Sequence, residues 1–225
     1  MQRHFDEKIQ DLLQKLVRMG RLAESMIQMA LRTLIERRED MVGEILRKEE
    51  EVNELQMEID DRAVKLTALQ QPVGEDVRFL FMASRIATEL ERIGDQAVNI
   101  CQNVHHVIQA PPLKPLVDLP RMGEIAEAMV RHSIDSLVAK DCALANVVLD
   151  EEKEVDAYRD HIFRVLLTYM MADPGTIQRA LALILISRNL ERVGDHATNI
   201  AEEVIYLAEG REVRHRREIS ARTEQ

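Results

Sequence analysis

The sequence predicts an all-α protein made of two tandem, pseudo-symmetric three-helix bundles. Its 225 residues include only 8 glycines, 6 prolines and no tryptophan, and aromatic residues make up 3%. The residues on which turns and sheets depend are therefore scarce, whereas strong helix formers such as Leu, Ala, Met, Glu and Arg are plentiful. A hydrophobic content of 46% is enough for a sizeable core. Apolar residues recur at helical spacing in both halves, and the halves repeat one another.

In the first half, apolar spacing and turn residues mark three helices. Apolar positions over 9–34 alternate in steps of four and three, which is typical of a helix in a bundle. Asp40 is a candidate N-cap for a second helix that ends at about residue 69. Gln71-Pro-Val-Gly74 reads as a turn, and a third helix is expected over about 75–108.

A proline-rich segment separates the halves. Three prolines stand within five residues of the stretch 109–118, and such a run cannot continue a helix. Three further helices are then expected over about 120–139, 141–171 and 176–209, with a turn at Asp173-Pro-Gly175. The predicted organisation is a first bundle at 1–110, a linker at 111–119, a second bundle at 120–210 and a basic C-terminal tail at 211–225.

The second half repeats the first. With a shift of 103 residues, Met19–Met26 aligns with Met122–Met129, and the alignment continues without a gap to Val52 on Val155. After the turn the shift becomes 100, and eight of the eleven residues of Leu90–Ile100 are identical in Leu190–Ile200. The surrounding sequence has diverged much further, so the chain is a duplicated unit.

The best-preserved part of the repeat is the pattern Glu-Arg-(Ile/Val)-Gly-Asp-x-Ala-x-Asn. On a helix, its Glu, Asp and Asn lie on one face, and the oxygen-bearing stripes are Glu91, Asp95 and Asn99, and Glu191, Asp195 and Asn199. Two carboxylates at i and i+4 repel by roughly 0.2–0.5 kcal/mol, and a mid-helix glycine costs about 1 kcal/mol against alanine. Both copies keep these unfavourable features, which suggests a compensating interaction.

A bound cation would provide that compensation. Carboxylate and amide oxygens are hard ligands that suit Mg, Mn, Fe and Ca, and a facing helix would have to complete the site. Asp156 and Asp160 are the candidates in the second half. The region taken as equivalent in the first half has Gln56 and Asp60, so the first site is expected to carry less charge.

A structural interpretation of the same residues stays open. Arg92 and Arg192 could bridge the carboxylates in a salt-bridge network, and the motif glycines could permit close helix packing. His105 and His106 read as a solvated pair near a helix end, and the basic cluster over 211–217 reads as a solvated tail.

Charge and motif content exclude several functions. A net charge of −10 disfavours nucleic acid and anionic lipid as partners. Cys101 and Cys142 match no metal or redox spacing, and with no signal peptide the cytoplasm is the expected compartment. No apolar run is long enough to span a membrane. Phosphate-binding loops, nucleophile elbows and di-iron motifs are absent, so an enzyme is not expected.

The doubled Leu-Glu-Arg-(Ile/Val)-Gly-Asp-x-Ala-x-Asn-Ile segment, together with 199–206, Leu167-Thr-Tyr-Met-Met171 and the near-100-residue repeat, resembles the PhoU family. This family accompanies bacterial phosphate-specific transport. The resemblance implies a cytoplasmic homodimer that restrains phosphate uptake and keeps the phosphate-starvation system switched off. It further implies contacts with the transporter ATPase (PstB) and the sensor kinase (PhoR), and membrane contact only through such partners.

The resemblance also implies metal clusters, since some members bind iron or other metals through paired Glu/Asp-x-x-x-Asp motifs. Those motifs fall on Glu91 with Asp95, Glu191 with Asp195, and Asp156 with Asp160, with Fe, Mn, Mg or Zn as the expected ions. Gln56 departs from the family pattern, which favours the second bundle. The alternatives are a metal-storage or hydrolytic protein that uses the same carboxylates, and a purely structural helical module.

Overall fold

The computed structural model describes residues 2–211 and 213, and side chains from Phe5 onwards. Within this part of the chain there are six long helices, one short 3-10 turn and no strand, which confirms the all-α prediction. The helices are α1 Gln2–Glu36, α2 Val42–Gln70, α3 Glu75–Ile108, α4 Asp118–Ala139, α5 Cys142–Ala172 and α6 Ile177–Glu209, with the 3-10 turn at Pro174–Thr176. The predicted tail at 211–225 lies almost entirely outside the described residues.

Most helix ends agree with the sequence, and one does not. Asp141 caps α5 by accepting hydrogen bonds from the backbone N–H groups of Ala143 and Leu144. Asp40, by contrast, is not the cap of α2, because the helix begins at Val42 and the carboxylate of Asp40 instead accepts a hydrogen bond from Arg38 at 2.7 Å. Met41 occupies the N-cap position, and no side chain caps this helix.

Each half is a three-helix bundle around a continuous apolar core. On α1 the predicted seam is buried: Leu16, Ala23, Ile27 and Leu34 are fully inaccessible to solvent. Helix α3 packs against α1 and α2, and α6 packs in the same way against α4 and α5. None of the helices in the described ranges is long and apolar enough to cross a membrane.

The motif glycines show that the repeat seen in sequence is also a repeat in space. A Cβ atom built on Gly94 would lie 3.5 Å from Met26 Cε and 3.8 Å from Val52 Cγ1. The counterparts of these residues, at shifts of 100 and 103, make the same contacts: a Cβ on Gly194 would lie 3.5 Å from Met129 Cε and 3.6 Å from Val155 Cγ1. The repeat therefore preserves the packing of all three helices in each half.

The two bundles meet through α1 with α4 and through α3 with α6. Gly20 lies against Ile134, and its counterpart Gly123 lies against Leu31, the counterpart of Ile134. The same contact is thus made twice with the roles exchanged, as a two-fold relationship between the bundles requires. In both cases an added Cβ would come within 3 Å of the facing side chain, so glycine permits the close approach of α1 and α4.

Helices α3 and α6 run antiparallel, and polar pairs join them. Glu89 pairs with His196 at 2.7 Å, and Arg85 pairs with Glu203 at 3.3 Å, so later residues of α6 meet earlier residues of α3. Glu203 is only 4% exposed. These pairs fix the register of the two motif-bearing helices at the centre of the molecule.

A candidate acidic site on the second bundle

The second half brings predicted carboxylates of α5 and α6 to one patch, which we call the acidic patch: Asp156, Asp160, Glu191 and Asp195. Arg159 is at its centre. The guanidinium contacts Asp156 Oδ1 and Asp160 Oδ1, each at 3.0 Å, and forms a third ion pair with Glu191 across the helix pair. The patch is therefore a network of one cation and several anions, held together by an arginine from α5.

The arginine that bridges the carboxylates is neither Arg92 nor Arg192, the two that the motif suggests. In the structural interpretation Arg92 and Arg192 could bridge the carboxylates, but both are exposed, and no ion pair involving either is found among the described side chains. Arg159 is 30% exposed and stands three residues after Asp156. That i, i+3 spacing is the sequence signal by which its role could have been found.

The carboxyls of the patch raise one another's pKa values. Asp195 keeps an exposed surface, but the protein around its carboxyl removes part of the solvation and raises its pKa, and the neighbouring charges of Glu191 and Asp156 raise this pKa further. Burial also raises the pKa of Asp156, although Arg159 opposes the shift. A raised carboxyl pKa means that the charged form is disfavoured, so Arg159 only partly offsets the repulsion among these carboxyls.

In the first half, the carboxyls of α2 and α3 also repel one another. Burial raises the pKa of Glu91, and the nearby Asp95 and Glu49 contribute to the increase. Glu49 on α2 was not among the predicted residues. The predicted partner Asp60 is elsewhere: its Oδ1 accepts a hydrogen bond at 2.5 Å from Ser84, which lies two helical turns before Glu91.

Asp60 does not lie beside the motif carboxylates because it is not the structural counterpart of Asp160. Val52 and Val155 occupy equivalent places against the motif glycines, so the shift between α2 and α5 is 103 residues. At this shift, Asp60 corresponds to Phe163, whereas Asp156 and Asp160 correspond to Asn53 and Met57. The equivalence of Gln56 and Asp60 with Asp156 and Asp160 was therefore wrong, and Gln56 is the counterpart of Arg159.

The motif asparagines do not complete either carboxylate set. The Asn199 side-chain amide donates a hydrogen bond at 3.1 Å to Glu89 on α3, so it serves the contact between the bundles. Asn99 accepts a hydrogen bond from the Asn103 side chain at its backbone oxygen. Burial opposes ionisation of Glu89, but hydrogen bonds from His196 and Asn199 outweigh it and lower the pKa of Glu89.

The negative charge of the acidic patch suits a metal ion, but its side chains are not arranged to bind one. Across residues 2–211 and 213, no group of three or more His, Cys, Asp or Glu side chains is placed to hold a metal ion. Arg159 already lies among the carboxylates, and a guanidinium with several ion pairs occupies the place a cation would take. Any metal would have to displace it.

Fold and site together define a helical repeat protein with an acidic face. Comparison with known proteins gives the family: the model described as "PhoU domain" matches residues 16–104 and again 119–204. The chain therefore belongs to the PhoU family, one copy of the domain in each half.

Relatives with known names agree over nearly their whole length. A Zymomonas mobilis protein named phosphate-specific transport system accessory protein PhoU homolog is 37% identical, with 94% of this chain and 90% of that protein covered. A Caulobacter vibrioides protein of the same name is 35% identical, with coverage of 95% and 93%. The chain thus spans 90% or more of the length of both relatives.

Solved structures agree as well. The crystal structure of PhoU from Pseudomonas aeruginosa superimposes with a TM-score of 0.87 at 33% identity, covering 92% of this chain and 100% of that one. The phosphate transport system regulatory protein PhoU from Streptococcus pneumoniae gives a TM-score of 0.84 at 25% identity, with coverage of 93% and 99%. The arrangement of the two bundles is therefore that of the family.

Proposed function

We propose that this chain is a cytoplasmic negative regulator of phosphate uptake and of the phosphate-starvation response. It acts as an adaptor between the ATPase of the phosphate ABC transporter (PstB) and the sensor kinase (PhoR). The observation that carries this proposal is the match to proteins named as phosphate-specific transport accessory proteins over 90% or more of their length. Those relatives are named as accessory proteins, which supports a regulatory rather than a catalytic role.

The fold suits an adaptor because each of its two similar bundles presents a long helix, α3 or α6. Helices α3 and α6 are 34 and 33 residues long, and each leaves one face exposed along part of its length. An exposed helix face can receive a helix or a loop of a partner. Two equivalent faces on one chain can contact two partners at a fixed separation. An adaptor needs at least two such contacts.

The acidic patch has a supporting role in this proposal. Asp156, Asp160, Glu191 and Asp195 would hold a divalent or trivalent cation, from among Fe, Mn, Mg and Zn, once the side chain of Arg159 had moved away. Such an ion would supply positive charge between α5 and α6 and so stabilise their packing. The adaptor role does not require it, because Arg159 already joins the two helices.

Deletion of the gene in its host tests the regulatory proposal. Genes that respond to phosphate should be expressed constitutively in phosphate-rich medium, and the wild-type chain supplied in trans should restore repression. Normal repression in the deletion strain would contradict the proposal. A turnover assay on phosphoesters with added Mn or Fe tests the hydrolytic alternative, for which the adaptor predicts no activity.

A further inference from the structure

Helices α3 and α6 meet along a seam whose residues follow helical spacing on both sides. Glu89 on α3 pairs with His196 and Asn199 on α6, and Arg85 on α3 pairs with Glu203 on α6. Steps of three and four residues from these positions stay on the same face of each helix. The positions that continue the seam past its centre are Gln96, Asn99 and Asn103 on α3, and Leu185, Asn189 and Arg192 on α6.

The repeat relates the two halves of the seam residue by residue. At the shift of 100 residues, the two partners of Glu89 correspond to Gln96 and Asn99 on α3, and Glu89 itself corresponds to Asn189 on α6. The pseudo-two-fold relationship between the bundles therefore places Gln96 and Asn99 opposite Asn189. Arg192 follows Asn189 by one helical turn. We call these four residues the amide site.

The two halves of the seam differ in charge. One half holds two carboxylates, Glu89 and Glu203, with His196 and Arg85 as their partners. The other half has Arg192 and no acidic residue at the seam positions named above. Arg192 is exposed, and none of the described side chains forms an ion pair with it. The amide site therefore has a neutral amide where the first half has a carboxylate, next to an arginine without an anionic partner.

The motif carboxylates do not cancel the charge of Arg192. Glu191 is the motif acid beside Gln96, by the same correspondence that places Glu91 near His196. The carboxylate of Glu191 already forms an ion pair with Arg159 on α5. The amide site therefore favours an anion, although the whole chain has a net charge of −10.

Gln96 is the buried member of the amide site. Its side chain is only 7% exposed, and no group of the described chain donates a hydrogen bond to its Oε1 atom. Buried carbonyl oxygens nearly always accept a hydrogen bond, because burial without a donor is destabilising. The side chain at the equivalent position of α6, His196, has such a partner in Glu89. The amide site thus lacks a donor that faces Gln96.

The hydrogen-bonding groups of the amide site match a ligand that both accepts and donates. The amides of Asn99 and Asn189 and the guanidinium of Arg192 can donate hydrogen bonds to the oxygens of an anion. The Oε1 atom of Gln96 requires a hydroxyl group instead. Hydrogen phosphate offers both, because it carries anionic oxygens and a P–OH group at neutral pH. Sulfate has no hydroxyl group.

We propose that the amide site binds one inorganic phosphate ion between α3 and α6. The phosphate oxygens accept hydrogen bonds from Asn99, Asn189 and Arg192, and the P–OH group donates one to Gln96. The ion thereby takes the place that the Glu89 carboxylate takes in the other half of the seam. This inference goes beyond the proposed function, which gives the chain partners but no ligand. Because the ion contacts one helix of each bundle, its binding stabilises the contact between the bundles.

Equilibrium dialysis of the purified full chain with radiolabelled phosphate tests the site. One phosphate should bind per chain, and sulfate and bicarbonate should each compete at least about tenfold more weakly than unlabelled phosphate. Sulfate lacks the hydroxyl group, and bicarbonate has fewer oxygens to accept hydrogen bonds. No saturable binding of phosphate, or equal competition by either of the other anions, would overturn the proposal.

Two variants locate the bound phosphate. Asn189→Glu introduces the carboxylate that the other half carries at Glu89, so it should exclude the anion and weaken phosphate binding at least about tenfold. Gln96→Leu removes the hydroxyl acceptor and should reduce the preference for phosphate over sulfate to about twofold or less. Circular dichroism equal to that of wild type shows that the variants fold. Phosphate binding that survives Asn189→Glu, or a preference that survives Gln96→Leu, contradicts the assignment.

Arg192→Gln and its matched control separate a specific contact from overall charge. Arg188 is exposed on α6 one turn before Arg192, and Arg188→Gln removes the same charge. Its counterpart Thr88 faces α2, where Gln56 contacts it at 3.4 Å, so Arg188 lies off the seam. Only Arg192→Gln should weaken phosphate binding at least about tenfold. Equal effects of the two substitutions would show that the arginines act through overall charge alone and would overturn the site.

Unfolding in urea tests whether the ion joins the bundles. Phosphate should raise the urea midpoint of wild type more than sulfate does at the same ionic strength. In Asn189→Glu the two salts should have equal effects, because both then act only as excluded salts. A phosphate-specific gain that persists in Asn189→Glu, or one that is absent from wild type, would contradict binding between α3 and α6.

Discussion

Arg159 on α5 forms an ion pair with Glu191 on α6 at the point where the second copy of the motif begins. The same guanidinium contacts Asp156 and Asp160, so a single side chain neutralises charges from both helices. The sequence had suggested that a cation must offset the repulsion of the motif carboxylates. In the structure this cation belongs to the protein itself.

Replacement of Arg159 tests whether it substitutes for a metal. Arg159→Ala should destabilise the metal-free protein by roughly 1 kcal/mol, because several partly exposed ion pairs are lost. The same change should increase binding of Mn²⁺ or Fe²⁺, because it frees the carboxylates. Chemical denaturation and metal analysis of the dialysed protein measure the two effects.

Arg164→Ala is the control, since Arg164 is exposed one turn further along α5 and outside the acidic patch. It should change neither quantity. If Arg159→Ala binds no more metal than wild type, the acidic patch is a salt-bridge network and the proposed metal site is wrong.

The glycines of the repeat should fall into two classes. Gly194 lies mid-helix with ordinary contacts around an added Cβ, so Gly194→Ala should stabilise the protein by up to about 1 kcal/mol through helix propensity. Gly20→Ala should destabilise it by about 1–2 kcal/mol, because the new methyl would lie 2.6 Å from Ile134 Cγ1. Equal effects of the two substitutions in urea denaturation would contradict the packing described for α1 and α4.

The pH dependence of stability should reflect Asp195. The pKa of Asp195 is raised in the folded chain. Asp195 therefore contributes most to the free energy of unfolding below its unfolded pKa of about 3.9, and this contribution is lost as the pH rises through the folded pKa. Asp195→Asn should therefore stabilise the protein at pH 7 by about 0.2–0.5 kcal/mol, the repulsion of an i, i+4 pair, and should have little effect near pH 3.5.

Thermal unfolding of Asp195→Asn at both pH values measures this difference. Asp40→Asn, in the exposed turn between α1 and α2, is the matched control and should give no gain at pH 7. A loss of stability in Asp195→Asn at pH 7 would show that favourable interactions of the Asp195 carboxylate outweigh its repulsion by the neighbouring carboxylates.

The ion pair between the bundles should matter for their docking. Glu203 is 4% exposed and pairs with Arg85 at 3.3 Å, so Arg85→Gln weakens the compensation of a buried carboxylate. A loss of about 1–3 kcal/mol is expected. Restoration of stability by the added change Glu203→Gln would confirm that the charge is the cause, whereas additive losses would show that the pair is not coupled.

Much of this architecture could be predicted from the sequence, because it follows from spacing and repetition. The boundaries of α3 at Glu75 and Ile108 were predicted as observed, since a turn and a proline-rich segment enclose a periodic stretch. Both carboxylate stripes were predicted from the i, i+4 spacing of Glu91 with Asp95 and of Glu191 with Asp195.

The details that the sequence could not give depend on contacts between helices. Asp60 was aligned with Asp160 because a shift of 100 residues fits the charges, but the packing of Val52 against Gly94 requires a shift of 103. The roles of Arg159 and Glu89 depend on which helix each faces, and helical periodicity alone does not specify a neighbour. Asp40 is not the cap of α2 because the helix begins one residue later than predicted, with Met41 at the N-cap position.

Binding of the purified chain to its proposed partners tests the adaptor most directly. Immobilised chain should capture the detergent-solubilised phosphate transporter through its ATPase and, separately, the cytoplasmic part of the sensor kinase. Capture of both partners at saturable, specific levels is the predicted result. Failure to bind either one, with properly folded protein on both sides, would contradict the adaptor account.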